Sequence, residues 1–240
     1  MRKLFLALLL IALPVCALAQ TELELEASPD DTLGIKWPAL GGDWDDENKV
    51  GSGSTTFGRG YVSGNIDTWT FLRYESLIPF ASKMIIAKLR FKASASNSGD
   101  FNTTIYRLVP DTKWDGAGYT LGNYATCSAL LLIFKFGTSV AWNNVEVWTV
   151  DNWYDSPEIP GLFQELIDAS GYTYGDPIGL MVDDGDGVHA PHDERRSPYQ
   201  WDSGAHDKGT KAVVTFEPWG EIMVIGGYKV RDGELVYFGY

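Results

Sequence analysis

Cysteine is almost missing from this chain. Of its 240 residues only Cys16 and Cys127 carry a thiol, and Cys16 lies in an N-terminal segment with the marks of a removable leader. That leaves Cys127 alone, so no intrachain disulfide is expected and a small disulfide-stapled scaffold is excluded. Basic charge is scarce too. Nineteen Lys and Arg face 32 Asp and Glu, a net charge of −13, and no Lys/Arg cluster is present to release counterions from phosphates, which excludes nucleic acid as a partner. Long hydrophobic runs are lacking as well: Leu4 to Leu13 is ten residues, against the roughly 20 a membrane-spanning helix needs. No membrane span is expected. Catalytic signatures are the last absence. The sequence has no Gly-x-Ser-x-Gly elbow, no phosphate-cradling glycine loop, no HExxH and no credible Cys–His pair. With 32 acids, carboxylate pairs for glycoside cleavage can be drawn anywhere and mean little. The expectation is a non-enzyme, with a polysaccharide-active enzyme as the distant alternative.

What is present begins with Arg2-Lys3, the apolar run, Pro14 and the small-residue end Ala17-Leu18-Ala19, the layout of a secretory signal peptide cleaved before Gln20. Cleavage leaves 240 − 19 = 221 residues, enough for one domain with a full core, and moves the net charge from −13 to −15 by removing two cations. The expected location is therefore secreted, extracellular or periplasmic.

The body of the chain reads as strands. From Gln20 to Asn48 it is acidic, with Lys36 its single basic residue, and reads as an extended opening strand followed by a solvated loop. Residues 51–64 are rich in Gly and Ser and read as a second loop. Trp69 to Tyr74, Ile85 to Phe91, Thr103 to Leu108 and Val145 to Val150 carry the alternation or β-branched and aromatic content of strands. In the second of these Ile85, Ala87, Leu89 and Phe91 are placed on the inner face. Leu130 to Phe136, Pro177 to Val182 and Lys211 to Phe216 are short apolar runs, the last two read as paired central strands. Pro160 to Ala169 is the exception. Leu162, Phe163, Leu166 and Ile167 form one helical stripe, with Pro160 at a first-turn position and Ser170-Gly171 as the stop. After Pro218, three short strands separated by Gly226-Gly227 and Asp232-Gly233 predict a β-meander. The predicted organisation is a signal peptide over 1–19, a β-sandwich over 20–217 and a C-terminal meander over 218–240.

The run Phe71-Leu72-Arg73-Tyr74, Ile78-Pro79 and Ile85 to Phe91 resembles the jelly rolls of DNRLRE-type and carbohydrate-binding-module-like domains, found in secreted bacterial surface proteins and virion fibres. Further matches follow in order: Trp148, Asn152 to Ile159, the helix Phe163 to Ile167, Gly171-Tyr172, Asp183-Asp184-Gly185, Arg195-Arg196, Tyr199, Asp202-Ser203-Gly204 and Ala212 to Phe216. The match covers about residues 28 to 217. The DNRLRE hexapeptide itself is absent, and Phe80-Ala81-Ser82 replaces the usual Gly-Ala turn. The resemblance implies an all-β, two-sheet jelly-roll-like sandwich with one short helix, and structural, adhesive or glycan-binding roles.

Candidate sites are few. Nine Trp are present, and Trp44, Trp114 and Trp142, with Trp37, lie in loop-like surroundings where an indole could stack on a sugar or instead plug the core. Arg195 and Arg196 offer bidentate donors for a carboxylate or sulfate, or a brace to Asp183 or Asp184. Asp183, Asp184 and Asp186, like the run Gly42 to Glu47, supply the clustered carboxylates a structural calcium ion requires, without an EF-hand loop. His189, His192 and His206 sit among Asp186, Asp193 and Asp207 and could ligate zinc, although their loose spacing favours solvated histidines in a polar loop. The leading expectation is a secreted structural or adhesive sandwich acting on a surface glycan or another protein subunit, with homo-oligomerisation through the meander. The alternative is a carbohydrate-binding module using loop Trp residues with calcium support.

Overall fold

The computed structural model describes residues 18–24, 31–38, 44–49, 56–61, 65–97, 99, 101–110, 134–169, 172, 174–183, 194–200, 206–218, 228–231 and 234–237. Fourteen strands and one α-helix lie in these segments: β1 Ala19–Leu23, β2 Asp31–Pro38, β3 Trp44–Lys49, β4 Phe57–Tyr61, β5 Asn65–Glu75, β6 Lys83–Lys92, β7 Phe101–Pro110, β8 Phe134–Val145, β9 Trp153–Asp155, α1 Pro160–Ile167, β10 Pro177–Val182, β11 Glu194–Arg196, β12 Lys211–Glu217, β13 Tyr228–Arg231 and β14 Glu234–Tyr237.

Two antiparallel sheets carry the fold. The small sheet runs β1-β12-β6-β9, and the large sheet contains the path β5-β10-β7-β8. Taken in chain order, these eight strands pair first with last, last with third, third with sixth, and second with seventh, seventh with fourth, fourth with fifth. That is the jelly-roll order, two interlocked Greek keys. The large sheet is extended beyond β5. Residues 70–72 pair with both β10 and β2, and residues 67–68 pair with both β4 and β2. Strand β2 therefore lies along one edge of β5, while β10 and β4 follow one another along the other; β3 pairs with β2 and β11 with β4.

The core fills the space between the sheets. Leu23, Ala87, Leu89, Phe91, Ala212, Val214 and Phe216 from the small sheet meet Phe57, Leu72, Tyr74, Ile105, Val145, Ile178, Leu180 and Val182 from the large one. At its centre Phe57, Phe91, Trp142, Trp148 and Tyr154 form an aromatic cluster. Trp148 stacks on Tyr154 at 5.0 Å and meets Phe57 edge-on at 5.7 Å between ring centroids. Such offset and edge-on contacts are the arrangements the ring quadrupole favours. Helix α1 buries Leu162, Phe163, Leu166 and Ile167, the predicted stripe, against the same core. Its Gln164 carboxamide accepts the Met84 main-chain N–H at 2.8 Å and donates to the Ser82 carbonyl at 3.1 Å.

Several expectations are revised. In β6 the inner residues are Met84, Ala87, Leu89 and Phe91, while Ile85 is half-buried and Ile86 exposed. A bulge is the cause: Thr215 pairs with Ile86 but Phe216 pairs with Met84, and the extra residue reverses the side-chain alternation below it. Val145 to Val150 is no strand. Chain β8 ends at Val145, Trp148 makes one isolated bridge to Asn97, and the backbone turns through Asp151 at φ 65°. Strands β10 and β12 are both central, yet in different sheets. The acidic opening holds three strands rather than one, and the Gly/Ser-rich loop contains β4, whose Phe57 is fully buried. Strands β13 and β14 pair across the Asp232-Gly233 position as a sheet of their own, while the first predicted meander strand and residues 1–17 of the predicted leader lie outside the described residues. No helix among the described residues is long and apolar enough to cross a membrane.

Candidate functional site

A half-buried antiparallel sheet must present its second set of side chains outward. In the small sheet that set is Gln20 and Glu22 on β1, Lys211, Val213 and Thr215 on β12, Ile86, Lys88, Arg90 and Lys92 on β6, and Trp153 and Asp155 on β9. The register places Lys211 beside Arg90, Arg90 beside Asp155, and Lys92 beside Trp153. Neighbouring strands lie about 4.8 Å apart, close enough for these charges to pair.

They do so as a lattice. The Asp155 carboxylate accepts Arg90 Nε at 2.8 Å and also takes the Lys88 ammonium. Lys211 Nζ donates to Glu24 at 2.6 Å and to Glu22 at 3.4 Å, and Arg90 reaches Glu22 at 3.8 Å. Partial burial pushes the Asp155 carboxyl up, but hydrogen bonds and charge from Arg90 and Lys88 outweigh it and hold the group below the usual carboxylate range. The hydrogen bond to Asp155 raises Arg90, and the one to Glu24 raises Lys211.

Trp153 stands at the edge of this lattice, on the outer side of a three-residue strand, with 39% of its surface exposed. Lys92 Nζ lies 5.6 Å and Lys211 Nζ 5.9 Å from its ring centroid, within cation–π range. Among the described residues, Lys83, Lys88, Arg90, Lys92, Lys208 and Lys211 lie on this side of the molecule. Lys83, Lys88, Arg90, Lys208 and Lys211 each lie within 4 Å of a carboxylate. Lys92 lies over the Trp153 ring, and its charge helps to lower the Asp151 carboxyl. The corner next to it is built by Asp151, which accepts Lys208 Nζ at 3.2 Å and the Tyr199 hydroxyl at 3.3 Å. Lys208 sits 4.5 Å over the Tyr199 ring, and its hydrogen bond is the main cause that lowers the Asp151 carboxyl. Main-chain bonds from Asp151 to Ala93 and from Ala93 to Asn152 pin this turn to the end of β6.

The residues singled out from the sequence fare differently. Trp142 is not a solvent-facing ring. It lies in β8 opposite Thr103, 6% exposed, stacked on Phe91 at 5.8 Å, because the register of β8 against β7 turns it into the core. Arg196 is not an open donor either. It is fully buried, and its guanidinium donates to the carbonyls of Glu146 at 2.8 Å, Arg195 at 2.9 Å, Gly99 at 2.6 Å and Val145 at 2.8 Å. Its planar fork satisfies carbonyls where the chain leaves regular ladders, a strut rather than a ligand site. Arg195 is half-buried, opposite Gly58 in the β11–β4 pair. Asp183 accepts the Trp69 indole N–H at 2.7 Å, and its main chain is bonded to Thr103 and Thr104. Asp184, Asp186 and Trp114 lie outside the described residues, and Trp44 is placed by backbone alone in β3. Among the described residues no three His, Cys, Asp or Glu side chains group as a metal site.

Sequence reasoning missed Trp153 as an exposed ring. Nothing in Asn152-Trp153-Tyr154-Asp155 says which aromatic turns outward; only the pairing of Tyr154 with Phe91 decides it. No protein-family model matches the chain, and no curated protein shows significant similarity to it.

Proposed function

We propose that the protein is a secreted, non-enzymatic β-sandwich with an adhesive or structural role at a cell or particle surface, and that the outer face of the small sheet is its contact surface. The observation that carries this reading is Trp153, a large apolar ring left exposed on a rigid, ion-paired sheet face. Exposed aromatics of this kind contribute most of their energy on contact with another surface, since they bring area at small conformational entropy. The titrating groups around it support binding over proton transfer. Asp151 and Asp155 are held below their ordinary range, and Arg90, Lys208 and Lys211 above theirs. General acid–base catalysis needs the opposite, groups brought toward neutrality. The leader-like N-terminus supports export, and the jelly-roll resemblance supports a surface role.

Beads coated with the protein and washed over extracellular material from the producing culture test the reading. Retention above that of uncoated beads, lowered by Trp153→Ala, is the expected result. Equal retention of coated and uncoated beads overturns it, as does release of new reducing ends from polysaccharide by the purified protein.

A further inference from the structure

We propose that two copies of this chain pair edge to edge through strand β8, across a two-fold axis at Val140. Among the described residues β1 and β9 end the small sheet, and β3, β11 and β8 end the large one. An open edge offers unpaired N–H and C=O groups to any other strand, and charge or shortness is what protects it. Strand β1 carries Glu22, and β3 carries Asp45, Asp46, Glu47 and Lys49. Strands β9 and β11 are three residues each, with Asp155 in the first and Glu194, Arg195 and Arg196 in the second. Strand β8 has neither protection: it runs for 12 residues with Lys135 as its single charge and no acid. Two copies of net charge −13 repel one another over most of their surface. An acid-free edge is where they can meet.

The ladder shows which groups of β8 face outward. Thr104 turns its carbonyl toward β10, where it accepts the Asp183 N–H at 3.0 Å. Its β8 partner Ala141 therefore sits in a pair without mutual hydrogen bonds and points its own N–H and C=O away from β7. Ser139, opposite Tyr106, does the same. Both side chains are exposed, and between them Val140 lies half-buried at the rim of the core. Shifts of register at Tyr106/Leu108 and Phe101/Thr103 bound this regular stretch. A second β8, antiparallel and centred on Val140, pairs Ser139 with Ala141 on both sides of the axis, each pair exchanging N–H and C=O groups, and closes one core rim on the other through Val140 and its counterpart. With no charge at the edge to select a different strand, this self-complementarity commits it to a second copy. The axis stands normal to the sheet, so both small sheets lie on one side and both Trp153 rings face the same way. The contact surface becomes bivalent, a consequence that rests on the adhesive reading where the pairing itself does not.

Sedimentation velocity of the protein over roughly 5–500 µM tests the pairing, a range suited to a short, small interface. A mass rising from one chain toward two is expected. Ser139→Lys/Ala141→Lys sets lysines opposite lysines and should raise the dimer dissociation constant about tenfold. Ser139→Glu/Ala141→Glu should do likewise, and an equimolar mixture of the two variants should restore the dimer. Matched thermal midpoints would show that the variants are folded. In a Cys16→Ser/Cys127→Ser background, which holds no native thiol, Val140→Cys should form an intermolecular disulfide on mild oxidation, since facing residues of this pair type lie about 4.5 Å apart between Cα atoms. Asn143→Cys should not, its counterpart lying about 20 Å away along the strands. A single-chain mass at every concentration overturns the inference. So does a dimer that is indifferent to the paired lysines, or one that links at Asn143 instead of Val140. Each of these outcomes leaves the adhesive reading in place, and bead retention decides that separately.

Discussion

The two sheets share a core yet treat their second faces in opposite ways. In the small sheet β12 and β6 alternate, with apolar inner residues and an outer set that mixes Lys211, Lys88, Arg90 and Lys92 with Val213, Thr215 and Ile86. In the large sheet β10 is buried along its whole length, and Phe71, Leu108 and Met181, outside the core between the sheets, are buried as well. Strand β10 is thus covered on both sides, although Ser139, Ala141 and Asn143 of β8 in the same sheet are exposed, while the small sheet faces solvent with an ion-pair lattice. Trp148 and Trp153 show the contrast within one short segment. The first is sealed in the aromatic cluster and the second stands exposed on the lattice. A strand covered on both faces is a support, whereas a sheet with one open face can carry charges that pair across it.

The largest expected effect tests the support. Arg196→Ala removes the donors of four carbonyls and should destabilise the fold by about 3–5 kcal/mol, read from urea unfolding. Arg196→Lys should recover little, because an ammonium cannot reproduce the fork. A loss below about 1 kcal/mol would show that water replaces the guanidinium. The paired tryptophans come next. Trp148→Ala should cost about 3–5 kcal/mol by opening a cavity, against about 0.5 kcal/mol or less for Trp153→Ala, in line with surface substitutions. Equal losses would erase the distinction between the two faces.

Tyr172 gives an intermediate effect with its own pH signature. Its hydroxyl donates to the Ile78 carbonyl at 2.8 Å and contacts Ser76 Oγ at 2.5 Å, and burial pushes it up to about 12. A folded value above the unfolded one, about 10, means the contribution is complete below pH ~10 and fades as pH rises through about 12. Tyr172→Phe should cost about 1–2 kcal/mol near neutrality and remove that alkaline limb from stability measured between about pH 9 and pH 12. The smallest effect belongs to the lattice. Asp155 is held below its unfolded value, so its contribution is present above about pH 4 and is lost as pH falls through the folded value. The carboxylate is about a third exposed, so water screens it. Asp155→Asn should therefore cost under about 1 kcal/mol, with faster hydrogen exchange confined to β9 and the facing end of β6. Exchange spread through β10 instead would mean that the sheets are not independent.

Much of this framework was legible because its residues report their burial directly. The alternation in β6 and β7, the all-apolar β10 and the stripe on α1 each follow from packing against one core. What escaped depended on partners distant in sequence. The bulge opposite Phe216 exchanges Ile85 for Met84 on the inner face, and no local pattern encodes it. Strand β4, with glycines at 58 and 60, lacks the side chains that advertise a strand, although its Phe57 anchors the aromatic cluster. Val145 to Val150 has the pattern of a strand without a partner along it. The candidate site is a matter of register throughout: Trp142, which could have faced solvent, is turned into the core, and Trp153, which nothing in the sequence singled out, is turned outward, each by the strand beside it.

The pairing of β1 with β12 has a consequence in time. Thr21 lies opposite Val214, so the first strand of the small sheet has no neighbour until almost the whole sandwich sequence has been made. Contacts this distant along the chain are slow to form. During synthesis the growing polypeptide therefore holds strands of the large sheet but cannot complete the face that carries Trp153. The ion-paired face of the small sheet is therefore the last part of the sandwich to be completed.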